Sequence, residues 1–193
     1  MILAPWDELN SLREKLNGWR ADWNPLKKPD KRLVRDCIDE VVDLLIMAYV
    51  YGKNNACDCL DHKVPADPDK MRETIWKEIA GETFEQRVER HMENFDVEAI
   101  INVADTEMTR DYNEAGLNTA GVIGKETKRS VMKTWNTMAD DRVRDTHDYL
   151  HGSSTELEKA FFTYDGDSAM APGGFTLPEN NCGCRCWLTF SYG

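Results

Sequence analysis

The chain has 193 residues, of which 41% are hydrophobic and 31% are charged. This length and composition indicate a globular protein of one sizeable domain or two small ones, and they exclude a disordered chain. The net charge of −11 excludes a nonspecific nucleic-acid coat, because phosphate binding needs clustered Lys and Arg. The acidic excess lies in residues 1–120, with a net charge of −9, whereas residues 121–193 carry −2.

Neither a secretory signal nor a membrane span is predicted. The first ten residues, MILAPWDELN, lack a basic start and become polar at Asp7. The longest apolar run, VVDLLIMAYVYG at 41–52, is interrupted by Asp43 and is shorter than the roughly 20 residues that cross a bilayer. We therefore expect no membrane contact, synthesis in the cytoplasm, and six cysteines that are initially reduced.

Residues 1–120 predict helices separated by glycine and proline. The first carries leucines at three- and four-residue spacing and is expected to end at Gly18. The second has one broad apolar face, Asp30 as its N-cap and Gly52 as its end, which makes it the predicted core helix. Gly116 is expected to close the last helix. The second and later helices are predicted at about 31–51, 70–80, 82–94 and 96–118, with a loop at 53–69.

The pattern changes near residue 121. A strand is predicted from Val131 to Thr137, because apolar, Thr and Trp residues suit a half-buried strand. Asp140 is the predicted N-cap of a short helix at 141–151, and a turn-rich loop leads to a final strand at 184–192. The predicted fold class is therefore α+β: a helical part, residues 1–120, carrying a small α+β module, residues 121–193.

Several short motifs occur in a fixed order in this C-terminal region. They are Lys-Thr-Trp at 133–135, Asp-Asp-Arg-Val-Arg at 140–144 with His147 after it, Pro-Gly at 172–173, and Asn-Cys-Gly-Cys-Arg-Cys at 181–186. Upstream, Glu107, Arg110 and Asn113 form a Glu-x-x-Arg-x-x-Asn pattern. This order resembles the phage Mu F-like minor head protein family, also called phage head morphogenesis domains. The family usually ends in Asn-Cys-Arg-Cys, whereas here Cys182 and Gly183 are inserted after Asn181.

The resemblance implies a structural role and no enzymatic activity. It implies a minor head protein of a tailed bacteriophage that is located in the virion head and assembled in the host cytoplasm. The implied partners are the portal protein, the major capsid protein or both, with packaged DNA as a further candidate. The acidic helical part is then the expected docking portion.

The residues themselves suggest one candidate metal centre. His147, Cys184 and Cys186 can bind zinc (Zn²⁺) if the last strand lies beside the 141–151 helix, with Cys182 or His151 completing the set. On a strand, Cys184 and Cys186 would share one face with Cα atoms roughly 6.5–7 Å apart, which strains a disulfide. Buried reduced thiols, zinc ligands, a later disulfide and a catalytic thiol all stay open as interpretations.

Two further hypotheses concern other polar residues. Cys57, Cys59 and His62 form a second set that is either a metal knuckle, a disulfide partner or a solvent-facing loop. The rival to the structural role is a small phage-delivered enzyme, nuclease-like or a transferase. It would use His147 with Arg144 or Asp148 in an open cleft as acid, base and anion clamp.

Overall fold

The computed structural model describes residues 6–193. Five helices form the N-terminal part of the described chain. They are α1 (Glu8–Ala21), α2 (Lys31–Cys59), α3 (Pro68–Ile75), α4 (Phe84–Met92) and α5 (Val97–Thr127). None of the helices in residues 6–193 is long and apolar enough to cross a membrane.

The C-terminal module alternates short strands with single helical turns. Its elements are β1 (Val131–Asn136), α6 (Asp145–Asp148), β2 (Ser154–Glu156), β3 (Phe161–Phe162), β4 (Ser168–Ala169), α7 (Pro178–Asn181) and β5 (Trp187–Tyr192). An antiparallel sheet has the order β2-β1-β5, and β1 pairs with β5 from Val131 opposite Tyr192 to Asn136 opposite Trp187. Strands β3 and β4 form a separate hairpin. The predicted α+β class is confirmed.

Helices α2 and α5 pack closely along the centre of the molecule. Asp30 caps α2 as predicted, since its carboxylate accepts a hydrogen bond from the backbone N–H of Leu33. Gly52 lies where the two backbones meet: a Cβ there would lie 1.8 Å from the carbonyl oxygen of Tyr112. A Cβ on Gly116 would lie 3.2 Å from the carbonyl oxygen of Gly52.

The predicted helix ends at glycine are therefore wrong. Helix α2 continues past Gly52 to Cys59, α5 continues past Gly116 to Thr127, and α1 continues past Gly18 to Ala21. Gly52 and Gly116 allow the two helices to approach closely. In the sequence, a glycine with this role looks the same as a glycine that ends a helix.

Two apolar clusters fill the described part of the chain. The first lies among α1, α2, α4 and α5 and includes Trp187 of β5. The second lies between the ends of α2 and α5 and the C-terminal module, and Trp135 is fully buried in it. Both tryptophans are core residues, as expected. The predicted division at residue 120 falls inside α5, and the two-part domain organisation stays a prediction.

The predicted helix at 141–151 is largely absent. Only Asp145–Asp148 is helical, and Arg144 occupies the N-cap position instead of Asp140. The Asp140 carboxylate instead accepts hydrogen bonds from the guanidinium of Arg185 and from the backbone N–H of Arg142, which builds a turn. Arg144 and His151 therefore lie outside the helical turn that carries His147 and Asp148.

Lys133 is a fully buried lysine in β1. It alternates with Val131 and Trp135 and so points to the buried face of the strand. Its Nζ donates to the carbonyl oxygen of Met170 at 2.7 Å and lies 5.3 Å from the ring centroid of Phe161. Burial lowers the pKa of Lys133 from 10.5 to about 8.

Replacing Lys133 by Met is expected to remove a pH-dependent part of the stability. Between pH 8 and 10.5 the unfolded chain binds more protons at this lysine than the folded chain does, so its contribution to the free energy of unfolding rises with pH. Urea unfolding of both proteins from pH 7 to 10 should show this rise only in the wild type. The exposed Lys159→Met variant is the control, and parallel profiles for wild type and Lys133→Met would contradict the assignment.

The Gly52→Ala variant is expected to lose about 3 kcal/mol or more of unfolding free energy, because its Cβ meets backbone atoms that cannot move aside. Gly18→Ala is the matched control. Its Cβ meets nothing within 4 Å, so it should gain about 0.5–1 kcal/mol as a helix-interior alanine. Chemical denaturation measures both, and equal stabilities of the two variants would disprove the close-packing role of Gly52.

Candidate metal centre

A buried cluster joins α6 to the segment before β5. His147 Nδ1 lies 3.5 Å from the sulfur of Cys184 and 3.5 Å from the sulfur of Cys186. The ligand atoms of these residues all lie within 4.8 Å of one another, and the side chains are 1%, 1% and 3% exposed. The structure thus brings together three of the residues that the sequence suggested as ligands.

Aromatic rings surround His147. Its imidazole stacks on Phe175 at a centroid distance of 5.3 Å and meets the edge of Trp135 at 5.6 Å. Asn181 fixes Phe175 through two backbone hydrogen bonds, accepting from its N–H and donating to its carbonyl oxygen. Nδ1 is the nitrogen that faces both sulfurs, whereas His147 Nε2 is buried without a hydrogen-bond partner among residues 6–193.

Helix α5 holds the cysteine segment by its backbone. Thr109 donates to the carbonyl oxygen of Cys184, and Asn113 donates to that of Cys186 at 3.1 Å. Asn113 also accepts from the backbone N–H of Leu188 at 2.9 Å. Thr109 and Asn113 are four residues apart and therefore lie on one face of the helix. Cys184 and Cys186 precede the last strand, which begins at Trp187 and not at the predicted residue 184.

A buried ion network lies on the same helix. Arg110 pairs with Glu107 at 2.5 Å and with Asp111 at 2.8 Å, and Arg87 of α4 pairs with Glu107 at 2.8 Å. The Pro-Gly loop packs against the backbone of α5 at Arg110. Gly173 has φ +84°, and a Cβ there would lie 2.9 Å from the backbone of Arg110. The Glu-x-x-Arg-x-x-Asn pattern therefore joins α4, the Pro-Gly loop and the cysteine segment through α5.

The two thiols have opposite pKa shifts. A hydrogen bond from Cys186, together with the facing His147, holds the pKa of the Cys184 thiol well below its usual range. The same contact with Cys184 raises the pKa of Cys186, and burial adds to that rise.

The residues fit a zinc ion. Tetrahedral zinc bonds sulfur at about 2.3 Å and imidazole nitrogen at about 2.1 Å, which places those two ligand atoms about 3.6 Å apart. Both observed sulfur–nitrogen distances are 3.5 Å. One ring nitrogen donates or accepts a single proton, so a hydrogen bond satisfies one sulfur at a time, whereas an ion satisfies both. A cavity of about 10 Å³ adjoins the cluster, close to the size of one water.

The other suggested ligands lie apart from this cluster. The side chain of Cys182 is exposed, and its carbonyl oxygen accepts a hydrogen bond from Arg144. His151 Nδ1 bonds the backbone N–H and the hydroxyl of Thr137. Neither residue belongs to the group of ligand atoms around His147.

The second cysteine set lies on α2 and the turn after it. Cys57 and Cys59 are in the last turn of α2, and His62 bonds Glu126 of α5 at 2.8 Å. All six cysteines are free, and the two sets do not form a shared cluster within residues 6–193. The prediction of a loop at these cysteines is wrong because α2 is longer than expected.

The open cleft that the enzyme hypothesis requires is not found at His147. The imidazole is 1% exposed and the adjoining cavity holds about 10 Å³. Arg144 is engaged by the carbonyl oxygen of Cys182, and Asp148 points to solvent. His147 is therefore placed to bind an ion or a thiol and has no room for a substrate.

Comparison with known proteins identifies the family. The model of the Phage Mu protein F like protein family matches residues 69–189, which is more than half of the chain and includes the whole cluster. The chain belongs to this family. It is also similar to the minor head protein GP7 of Bacillus phage SPP1, with 30% identity over 63 residues. That segment covers 33% of this chain and 20% of GP7, so the chain matches about a fifth of that relative's length. No solved structure matches.

Sequence reasoning assigned no role to the residues that hold the cysteines in place: it named Asn113 only within the Glu-x-x-Arg-x-x-Asn pattern and did not name Thr109 or Asn55. Thr109 and Asn113 carry the backbone of the cysteine segment, and Asn55 of α2 donates to the carbonyl oxygen of Leu188 at 2.8 Å. The sequence feature that could have identified Thr109 and Asn113 is the four-residue spacing of polar residues on a helix that is otherwise buried. In this Phage Mu F-like chain, those residues position the cysteine segment without belonging to the cluster.

The Asn113→Ala variant is expected to lose about 2–3 kcal/mol of unfolding free energy, because it leaves a buried carbonyl and a buried N–H without partners. Asn102→Ala on the exposed face of α5 is the control, expected within about 0.5 kcal/mol of wild type. Thermal or urea unfolding measures both. A mild effect at Asn113 would show that α5 does not hold the cysteine segment.

Proposed function

We propose that this chain is a structural minor head protein of a tailed bacteriophage and that it contacts the portal protein, the major capsid protein or both. The observation that carries the proposal is the family match, which extends over residues 69–189 and includes every residue of the buried cluster. The similarity to a protein named as a minor head protein supports it. The virion head is the location that follows from this role.

The charge distribution supports protein partners over packaged DNA. Residues 1–120 carry a net charge of −9, and DNA phosphates would repel such a surface. The helical part that bears this charge is therefore the proposed docking portion. A buried His147 favours the structural role over the rival enzyme, since catalysis needs a substrate within reach of the acid or base.

We further propose that His147, Cys184 and Cys186 bind one zinc ion. Zinc would supply a cross-link between α6 and the segment before β5, which are 37 residues apart in the chain. The support is the donor chemistry, the two equal nitrogen–sulfur distances and the aromatic shell that keeps water away. The zinc serves the fold of the module and takes part in no reaction.

Quantitative mass spectrometry of purified particles tests the proposed role. The expected result is this protein at a few to some tens of copies per particle, normalised to the portal. An abundant host cytoplasmic protein gives the background level. Presence only in the infected-cell lysate, at background in particles, would refute a virion role.

Zinc analysis of the purified full chain provides the second test. Wild type and His62→Ala are expected to hold one zinc per chain, because His62 bonds Glu126 on the surface and lies outside the cluster. Cys186→Ser is expected to lose most of it, since the serine hydroxyl is a poor zinc ligand. Wild type without zinc after expression in zinc-rich medium would refute the metal proposal.

A further inference from the structure

A third polar residue continues the row on α5 that holds the cysteine segment. Asn113 bonds Cys186 and Thr109 bonds Cys184, so each helical turn toward the N-terminus meets an earlier residue of that segment. Asp105 is one turn further in the same direction. Its Oδ2 lies 4.0 Å from the place where a Cβ of Gly183 would be. The row thus runs antiparallel to the segment and ends in a carboxylate.

Asp105 differs from Thr109 and Asn113 in having an oxygen without a partner. Its Oδ1 is buried and accepts no hydrogen bond from any of residues 6–193. A buried carboxylate oxygen without a hydrogen-bond partner is costly and requires an explanation. A cation bound beside it would provide one.

Cys182 is less suited to complete the site. Its side chain is exposed, and Arg144 binds its carbonyl oxygen, which fixes the backbone just before Gly183. Gly183 follows with φ +65°. A Cβ at this position would meet nothing nearer than Asp105 Oδ2 at 4.0 Å, so the glycine leaves space beside that carboxylate.

Resting on the zinc ion proposed above, we propose that Asp105 supplies the fourth, oxygen ligand of that ion and that Cys182 does not bind it. Structural zinc takes four ligands, and carboxylate oxygen is an accepted donor beside nitrogen and sulfur. Asp105 lies outside the group of ligand atoms that are within 4.8 Å of one another. The proposal requires its side chain to rotate toward the ion through the space beside Gly183, where its Oδ2 lies 4.0 Å from the position of a Cβ.

Cobalt(II) binding to the metal-free full chain tests the proposal, because thiolate-to-cobalt charge transfer counts the bound sulfurs. Wild type and Cys182→Ser should give the same two-thiolate intensity and the same affinity. Asp105→Asn should keep that intensity and bind cobalt about 10–100-fold more weakly. Asp105→Cys should raise the intensity about 1.5-fold, since a third thiolate joins two.

Other outcomes overturn the inference in distinguishable ways. Loss of intensity in Cys182→Ser, with Asp105→Asn unchanged, makes Cys182 the fourth ligand and leaves the zinc proposal intact. An unchanged Asp105→Asn affinity together with an unchanged Asp105→Cys intensity removes Asp105 from the site. A wild-type chain that binds no cobalt overturns both proposals. Circular dichroism confirms that each variant is folded before titration.

Discussion

The backbone contact between α2 and α5 at Gly52 is the constraint on which the rest of the structure depends. It sets the distance between two helices of about 30 residues each, and the helices then extend past the contact to form one side of the second apolar cluster. Gly116 lies one turn beyond Tyr112, and the Phe190 ring of β5 is 3.2 Å from the point that a Cβ on Gly116 would occupy. The helix pair and the sheet therefore meet at Gly116, where a side chain would press on both α2 and the Phe190 ring.

The buried charges on α5 have a different role. Replacing buried ion pairs by apolar residues is often neutral or stabilising, so Glu107, Arg110 and Asp111 are not explained as a source of stability. Their partners are specific: Arg87 from α4, and the backbone of Thr74 at the end of α3. These contacts join α5 to α4 and α3 in the same orientation in which Thr109 and Asn113 face the cysteine segment.

Sequence reasoning predicted the parts of the fold that local patterns determine. The α+β class, the Asp30 cap, the β1 strand and the burial of both tryptophans follow from periodicity and capping. The grouping of His147 with two cysteines was also within reach, since motif order placed them in neighbouring elements. The continuation of the helices past Gly52 and Gly116 could not be predicted from the sequence. It depends on a close helix contact whose partner lies more than 50 residues away along the chain. The prediction of a helix at 141–151 was wrong for a related reason. The Asp140 carboxylate, its expected N-cap, instead accepts a hydrogen bond from the distant Arg185.

The proposed zinc ion would add a cross-link to a module that is otherwise held by the second apolar cluster, the β2-β1-β5 sheet and the hydrogen bonds from α5. The strands of this module are two to six residues long, and the loop from β4 to β5 is ordered mainly by side-chain hydrogen bonds such as those of Asn181. Small modules of this kind usually need a cross-link, because short strands bury too little apolar surface to offset the entropy of ordering the chain. A zinc ion held by α6 and the cysteine segment would close a long loop at one point, and α5 would fix that point to the helical core. In the proposed head role, such a cross-link would hold the C-terminal module in one shape before its partners assemble around it.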